Sequence, residues 1–150
     1  MSKTIHGLKI RTTNQQLHPI LDLWSRVPNM ELKGAIYAVY FNYESDFTGG
    51  YDLLVGNETA KFEETILLND RNYLEIPVKT ASPSGVGEAW QKIWRDAKIN
   101  QVRTYQTDFE YYAEDGSIKI FLSIKEQQES DYNDELIAET AKIVSDDFNL

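Results

Sequence analysis

A succession of strand, helix, strand and strand occurs twice along this 150-residue chain, and that repeated order limits its fold more than any single motif. In residues 4–13, Ile5, Leu8 and Ile10 are the apolar positions of a strand-like segment. Residues 17–26 place Leu17, Ile20, Leu21 and Trp24 at i, i+3, i+4 and i+7, one face of a helix. Pro19 falls in or near its first turn, where a missing N–H is tolerated. Gly34 precedes a strand over residues 35–43, dense in Tyr, Val and Phe. After the turn signal Thr48-Gly49-Gly50 a second strand spans residues 51–58. The order then recurs. Residues 72–80 form a strand with Tyr73, Leu74, Ile76 and Val78. The loop at residues 81–85 offers Ser84 or Gly85 as a cap for the helix over residues 86–97. Val86, Ala89, Trp90, Ile93, Trp94 and Ala97 share one face of that helix. Strands over residues 106–113 and 118–124 follow, joined by Glu114-Asp115-Gly116-Ser117. The expected class is α+β: a tandem strand-helix-strand-strand duplication forming an antiparallel sheet with two helices on one side. The halves, residues 4–58 and 72–124, should be related by a pseudo-twofold. Residues 60–71 link them, either extending the first half's last strand or crossing as a loop.

Composition removes several function classes. Without cysteine the chain has no disulfide, no thiolate metal site and no cysteine nucleophile. His6 and His18, the two histidines, lack metal-ligand spacing. No metal or cofactor is therefore expected. Neither a glycine-rich phosphate loop with Lys-Ser/Thr nor a Gly-x-Ser-x-Gly elbow occurs. A formal net charge of −9 argues against direct nucleic-acid binding, which needs a basic footprint. No apolar run approaches a membrane span, and the N-terminus lacks the layout of a secretory signal, so a cytoplasmic location is expected. The acidity is uneven. Residues 125–150 hold eight acids against Lys125 and Lys142, a pattern typical of a solvated tail. Within it, Leu136, Ile137, Ala141 and Val144 have helical spacing. We expect a domain over residues 1–125 and an acidic extension with a short helix over 126–150, whose removal leaves the domain folded.

Residues 107–112 read Thr-Asp-Phe-Glu-Tyr-Tyr, aromatic and strand-like yet carrying carboxylates. Alternation puts Asp108, Glu110 and Tyr112 on one face and Phe109 and Tyr111 on the other. A carboxylate among rings is costly if buried alone. It is useful where a cation enters, because ring faces attract cations and bury area at little rotamer cost. The bland alternative is an edge strand with a solvated polar face.

These residues, in this order, carry a likeness. Ala35-Ile36-Tyr37-Ala38-Val39-Tyr40, Glu88-Ala89-Trp90-Gln91-Lys92-Ile93-Trp94, Asp108-Phe109-Glu110-Tyr111-Tyr112 and the following strand resemble the GyrI-like small-molecule-binding family. That fold is also the effector-binding domain of AraC-type and MerR-type multidrug regulators. The resemblance spans residues 4–124 and implies a cleft between the repeats for bulky, often cationic, aromatic compounds. It implies Glu110 as the acid of the pocket, with Trp90 and Tyr112 as main stacking surfaces. Trp94, Tyr37 and Tyr40 serve as secondary walls. The helix-turn-helix that precedes this domain in regulators has no counterpart ahead of residue 4, so a stand-alone binding module is expected.

Each residue also has a structural reading. Trp90 and Trp94, four apart on a helix, suit core packing, and so does Trp24. Only one parity set among Tyr37, Tyr40 and Tyr43 can line a pocket. Tyr105 and Tyr111 suit outer or edge surfaces. Two rival functions stay open. One is a hydrolase of strained electrophiles in which Glu110 acts as general base and Tyr112 donates a hydrogen bond. The other is a gyrase-inhibitor type of protein partner that uses the acidic surface.

Overall fold

The computed structural model describes residues 2–69 and 72–125; the tail expected to carry a helix lies outside them. Among the described residues, seven strands form one sheet in the order β4-β1-β3-β2-β6-β7-β5. They are β1 (Lys3–Thr13), β2 (Ile36–Phe41), β3 (Gly50–Asn57), β4 (Glu64–Leu68), β5 (Tyr73–Val78), β6 (Thr107–Tyr112) and β7 (Ile118–Ser123). All strand pairings are antiparallel. The helices are α1 (Leu17–Arg26), extended by a 3-10 turn (Val27–Met30), α2 (Pro83–Arg95) and α3 (Ala97–Val102). The fold is α+β, as the repeated order requires. Set β4 aside and the sheet reads 1-3-2 and then 6-7-5. The second half thus lies in mirrored strand order, with β2 and β6 in contact at the centre.

Residues 60–71, open between two readings, contain β4, which pairs along the outer edge of β1 and places Ile5 opposite Ile66. The second helical segment differs from the expected single helix. Ser82, not Ser84 or Gly85, caps α2: its hydroxyl accepts from the Gly85 N–H at 3.1 Å, and Pro83 takes the first turn, where no N–H is needed. At the other end Asp96 has extended backbone, φ −88° and ψ 107°, which stops α2. Its carboxylate then accepts from the Ile99 N–H at 3.0 Å and starts α3. Ala97 opens that short helix instead of ending the long one.

The helices share one sheet face. Leu23 and Val27 pack on Ala38, Leu53 and Val55 of the first half. Val86, Ala89, Ile93, Ile99 and Val102 pack on Leu74, Ile76, Ile120 and Leu122 of the second. A separate cluster of Ile5, Tyr37, Val39, Phe41, Leu54 and Leu68 occupies the opposite face. Each helical layer therefore sits over its own half, and the central pair β2–β6 lies beneath the space between them.

A buried ion pair fastens that centre. Arg103, just after α3, donates to Asp108 Oδ2 at 2.7 Å with both side chains almost fully enclosed. Asp108 Oδ1 also accepts from the Ser123 N–H at 2.8 Å, joining β6 to the end of β7. Removing one member of such a pair strands the other charge in the interior. Asp108→Ala should lower the unfolding free energy by about 3–5 kcal/mol. Urea denaturation measures this, and a loss within experimental scatter would mean that the pair is dispensable.

Candidate functional site

Between α1 and α2, above β2 and β6, lies a cavity of about 570 Å³. Its walls are rich in rings: Trp24, Tyr40, Tyr43, Phe47, Tyr51, Trp90, Trp94 and Tyr112 all line it. Glu110 also lines it and is 2% exposed. The cross-strand register sets Ala38 opposite Glu110, with Tyr40 two residues along the same strand face. Tyr40 donates its hydroxyl to Glu110 Oε2 at 2.8 Å, and the Trp90 indole N–H reaches the same oxygen at 2.6 Å. Tyr112 donates to Oε1 at 2.5 Å. Three donors from three elements thus converge on one carboxylate.

The rings are held edge to face and stacked. Trp90 meets Tyr40 at 5.3 Å and 62°, and Trp94 lies stacked beyond Trp90 at 6.4 Å. Phe47 continues the stack on Trp94, while Trp24 meets Tyr112 edge-on at 5.2 Å. Such contacts fix ring orientation, so the walls are preformed.

Two acids of the same strand face have opposite surroundings. Asp108 is answered by Arg103, by the Tyr43 hydroxyl at 2.6 Å and by Ser123. Glu110 has three neutral donors and, among the described residues, no cation. Burial raises the Glu110 carboxyl above its ordinary value, and the three hydrogen bonds, which favour the anion, offset part of that rise. Burial beside this acid likewise raises the Tyr40 and Tyr112 hydroxyls, which stay protonated donors.

Of the residues singled out from the sequence, the structure brings Glu110, Tyr112, Trp90, Trp94 and Tyr40 together around this cavity. Tyr37 is elsewhere. Its position pairs with Tyr111, so its ring lies on the far face against Phe109 and Tyr111, with Lys3 donating to its hydroxyl at 3.2 Å. It cannot serve as a wall of this cavity. Tyr43 corrects the parity argument. β2 ends at Phe41, and Asn42 adopts positive φ, 51°. That residue breaks the alternation and returns Tyr43 to the face of Tyr40. Trp24, read as core, is half-buried and lines the cavity. Tyr51, Phe47 and Arg103 were not singled out as site residues. Tyr51 alone has a sequence signal, because strand alternation puts it on the face of Leu53 and Val55. No group of His, Cys, Asp and Glu suited to a metal occurs among the described residues. No described helix is long and apolar enough to cross a membrane.

With Glu110 raised, the native state holds a proton that the unfolded chain releases. Stability should therefore fall as pH climbs from the ordinary carboxyl value, 4.5, through the raised one. In Glu110→Gln this contribution should vanish with the titrating group, while the amide oxygen can accept from Tyr40 and Trp90 and its NH₂ faces the Tyr112 hydroxyl. Urea unfolding of both proteins across that pH range measures the difference; parallel curves would mean that Glu110 titrates normally.

No family model matches the chain, and no curated protein does. Solved structures do. An integron cassette protein from Vibrio cholerae is 27% identical, with a TM-score of 0.68 over 83% of this chain and 91% of that one. A Staphylococcus aureus protein described as a candidate bacterial transcription regulation protein is 18% identical, with a TM-score of 0.63 over 83% of this chain and 94% of the other. The second likeness concerns the fold alone. The chain is thus similar over most of its length to an integron cassette protein and shares its fold with a protein linked to transcription regulation.

Proposed function

We propose that this protein is a GyrI-like small-molecule-binding module that captures amphipathic aromatic cations in the cavity between its two halves. The reading rests above all on Glu110: a buried carboxylate facing a ring-lined cavity, with neutral donors and, among the described residues, no counter-cation. An anion in that position needs compensation that hydrogen bonds alone supply in part. A cationic guest would provide the rest. Trp90, Tyr112 and Tyr40 would give it ring faces, each worth about 0.5–2 kcal/mol, and Trp94 would extend the wall. Neighbouring Asp108 supports the assignment by contrast, since Arg103 already neutralises it. The two uses of an acid on one strand face separate a structural carboxylate from a recognition carboxylate.

Charge selectivity is the direct consequence. Glu110→Gln should weaken binding of a cationic aromatic probe such as tetraphenylphosphonium by about 1–3 kcal/mol, the scale of a charge-assisted hydrogen bond. A neutral probe of similar shape should change far less. Trp90→Ala should weaken both. Tryptophan fluorescence titrations read each affinity, and equal losses for cation and neutral probe in Glu110→Gln would sink the proposal. Because binding needs the ionised acid, cation affinity of the wild type should also rise with pH as the Glu110 carboxyl loses its proton, with no such rise in the glutamine variant.

A further inference from the structure

The described residues leave three large hydrophobic side chains well exposed: Leu17 at 60%, Leu21 at 65% and Leu67 at 49%. Two of them are not scattered. Leu17 and Leu21 stand one turn apart on α1, and both line the cavity. They end a track that begins deep in the site. Trp24 meets the Tyr112 ring at 5.2 Å, and the Tyr112 hydroxyl donates to Glu110. From Trp24 the same stripe runs through Ile20 and Leu21 to Leu17, about 10 Å along a helix rising 1.5 Å per residue. On the facing lip, the start of α2 presents Pro83 and Val86. Beside them a Cβ added at Gly87 would meet no atom within 4 Å, which marks open space there.

A flat aromatic cation would be satisfied by Glu110 and the rings and would leave both leucines in water. Their position is explained by a guest that continues outward. We infer that the ligand joins its cationic group to an aliphatic chain, as in an alkylammonium amphiphile, and that Leu17 and Leu21 hold the chain at the cavity mouth. This deepens the cation-binding reading and rests on it for the headgroup. The chain contact itself is apolar and independent of Glu110. Continuity with the cavity, with no polar side chain interrupting the stripe from Trp24 to Leu17, favours a ligand chain over a protein partner as the cover.

The test compares tetramethylammonium, hexyltrimethylammonium and decyltrimethylammonium, with hexanol and decanol as neutral counterparts, by calorimetry below the micellar concentrations. Wild-type affinity should rise from the methyl to the decyl cation, by roughly three- to fourfold for each methylene covered. Leu17→Gln with Leu21→Gln keeps helix propensity nearly level and alters exposed positions, so the fold should hold. This double variant should bind tetramethylammonium as the wild type does but lose about tenfold or more for the decyl cation. Equal wild-type affinity for all three cations would overturn the chain inference and leave the cation reading intact. Chain-length dependence preserved in the double variant would overturn the assignment to the leucines. If decanol matches the decyl cation and Glu110→Gln changes neither, the cation reading fails while the leucine track stands. Binding of none of the probes overturns both. Sedimentation of the apo proteins tests a second copy as the occupant: a wild-type dimer that becomes monomeric in the double variant would assign Leu17 and Leu21 to an interface between copies and overturn the inference.

Discussion

The antiparallel pairing of β2 with β6 is the contact on which the rest of this molecule depends. It joins the two halves into one sheet and fixes Ala38 opposite Glu110 and Tyr40 opposite Asp108. Because each half brings its helical layer over its own strands, that joint lies beneath the gap between the helices. The cavity follows from the duplication. A slip of one residue in the register would turn Glu110 to the far face, opposite Tyr37 or Val39, and leave the site without its acid.

Charge is handled unevenly around that joint. Asp108 and Glu110 leave the same face of one strand, yet one is locked to Arg103 and the other meets hydroxyls and an indole. The Arg103–Asp108 pair ties the end of α3 to β6 and, through Ser123, to β7, and the Arg103 guanidinium lies over the Tyr105 ring at 4.1 Å. Glu110 sits two residues further along in a site whose shape is already set by Tyr40, Trp90 and Tyr112. Preorganisation of this kind reduces the ordering cost of binding. It also suits breadth of ligands, because ring stacking tolerates variation in shape.

Much of the fold was legible because apolar periodicity reports which face of an element is covered. The period of two in Ile118, Ile120, Leu122 and the helical spacing of Val86, Ala89, Trp90 and Ile93 mark the faces that form the second half's core. The same signal misled where an element has apolar side chains but no core behind them. The α1 stripe from Leu17 to Trp24 reads as core, yet it borders a cavity and ends in solvent. The cap expected at Ser84 or Gly85 falls instead at Ser82 for a local reason: all three are acceptable cap residues, and Pro83 occupies the first turn.

By itself the sequence determined the element order, the α+β class, the face shared by Asp108, Glu110 and Tyr112, and the absence of thiol chemistry, all of which are set within a few residues or by composition. Tertiary structure alone decided what those side chains meet. Tyr37 and Tyr40 are equally plausible walls until the β2–β6 register sends Tyr37 to the far face, and Tyr43 joins Tyr40 because Asn42 turns the chain through positive φ. That Arg103 would neutralise Asp108 and not Glu110 depends on where α3 ends above the sheet, a relation between segments that no local pattern encodes. Electrostatic character is a property of neighbours in space: strand pairing brings Tyr40 to Glu110 across 70 residues of chain, and helix packing brings Trp90 to it across 20.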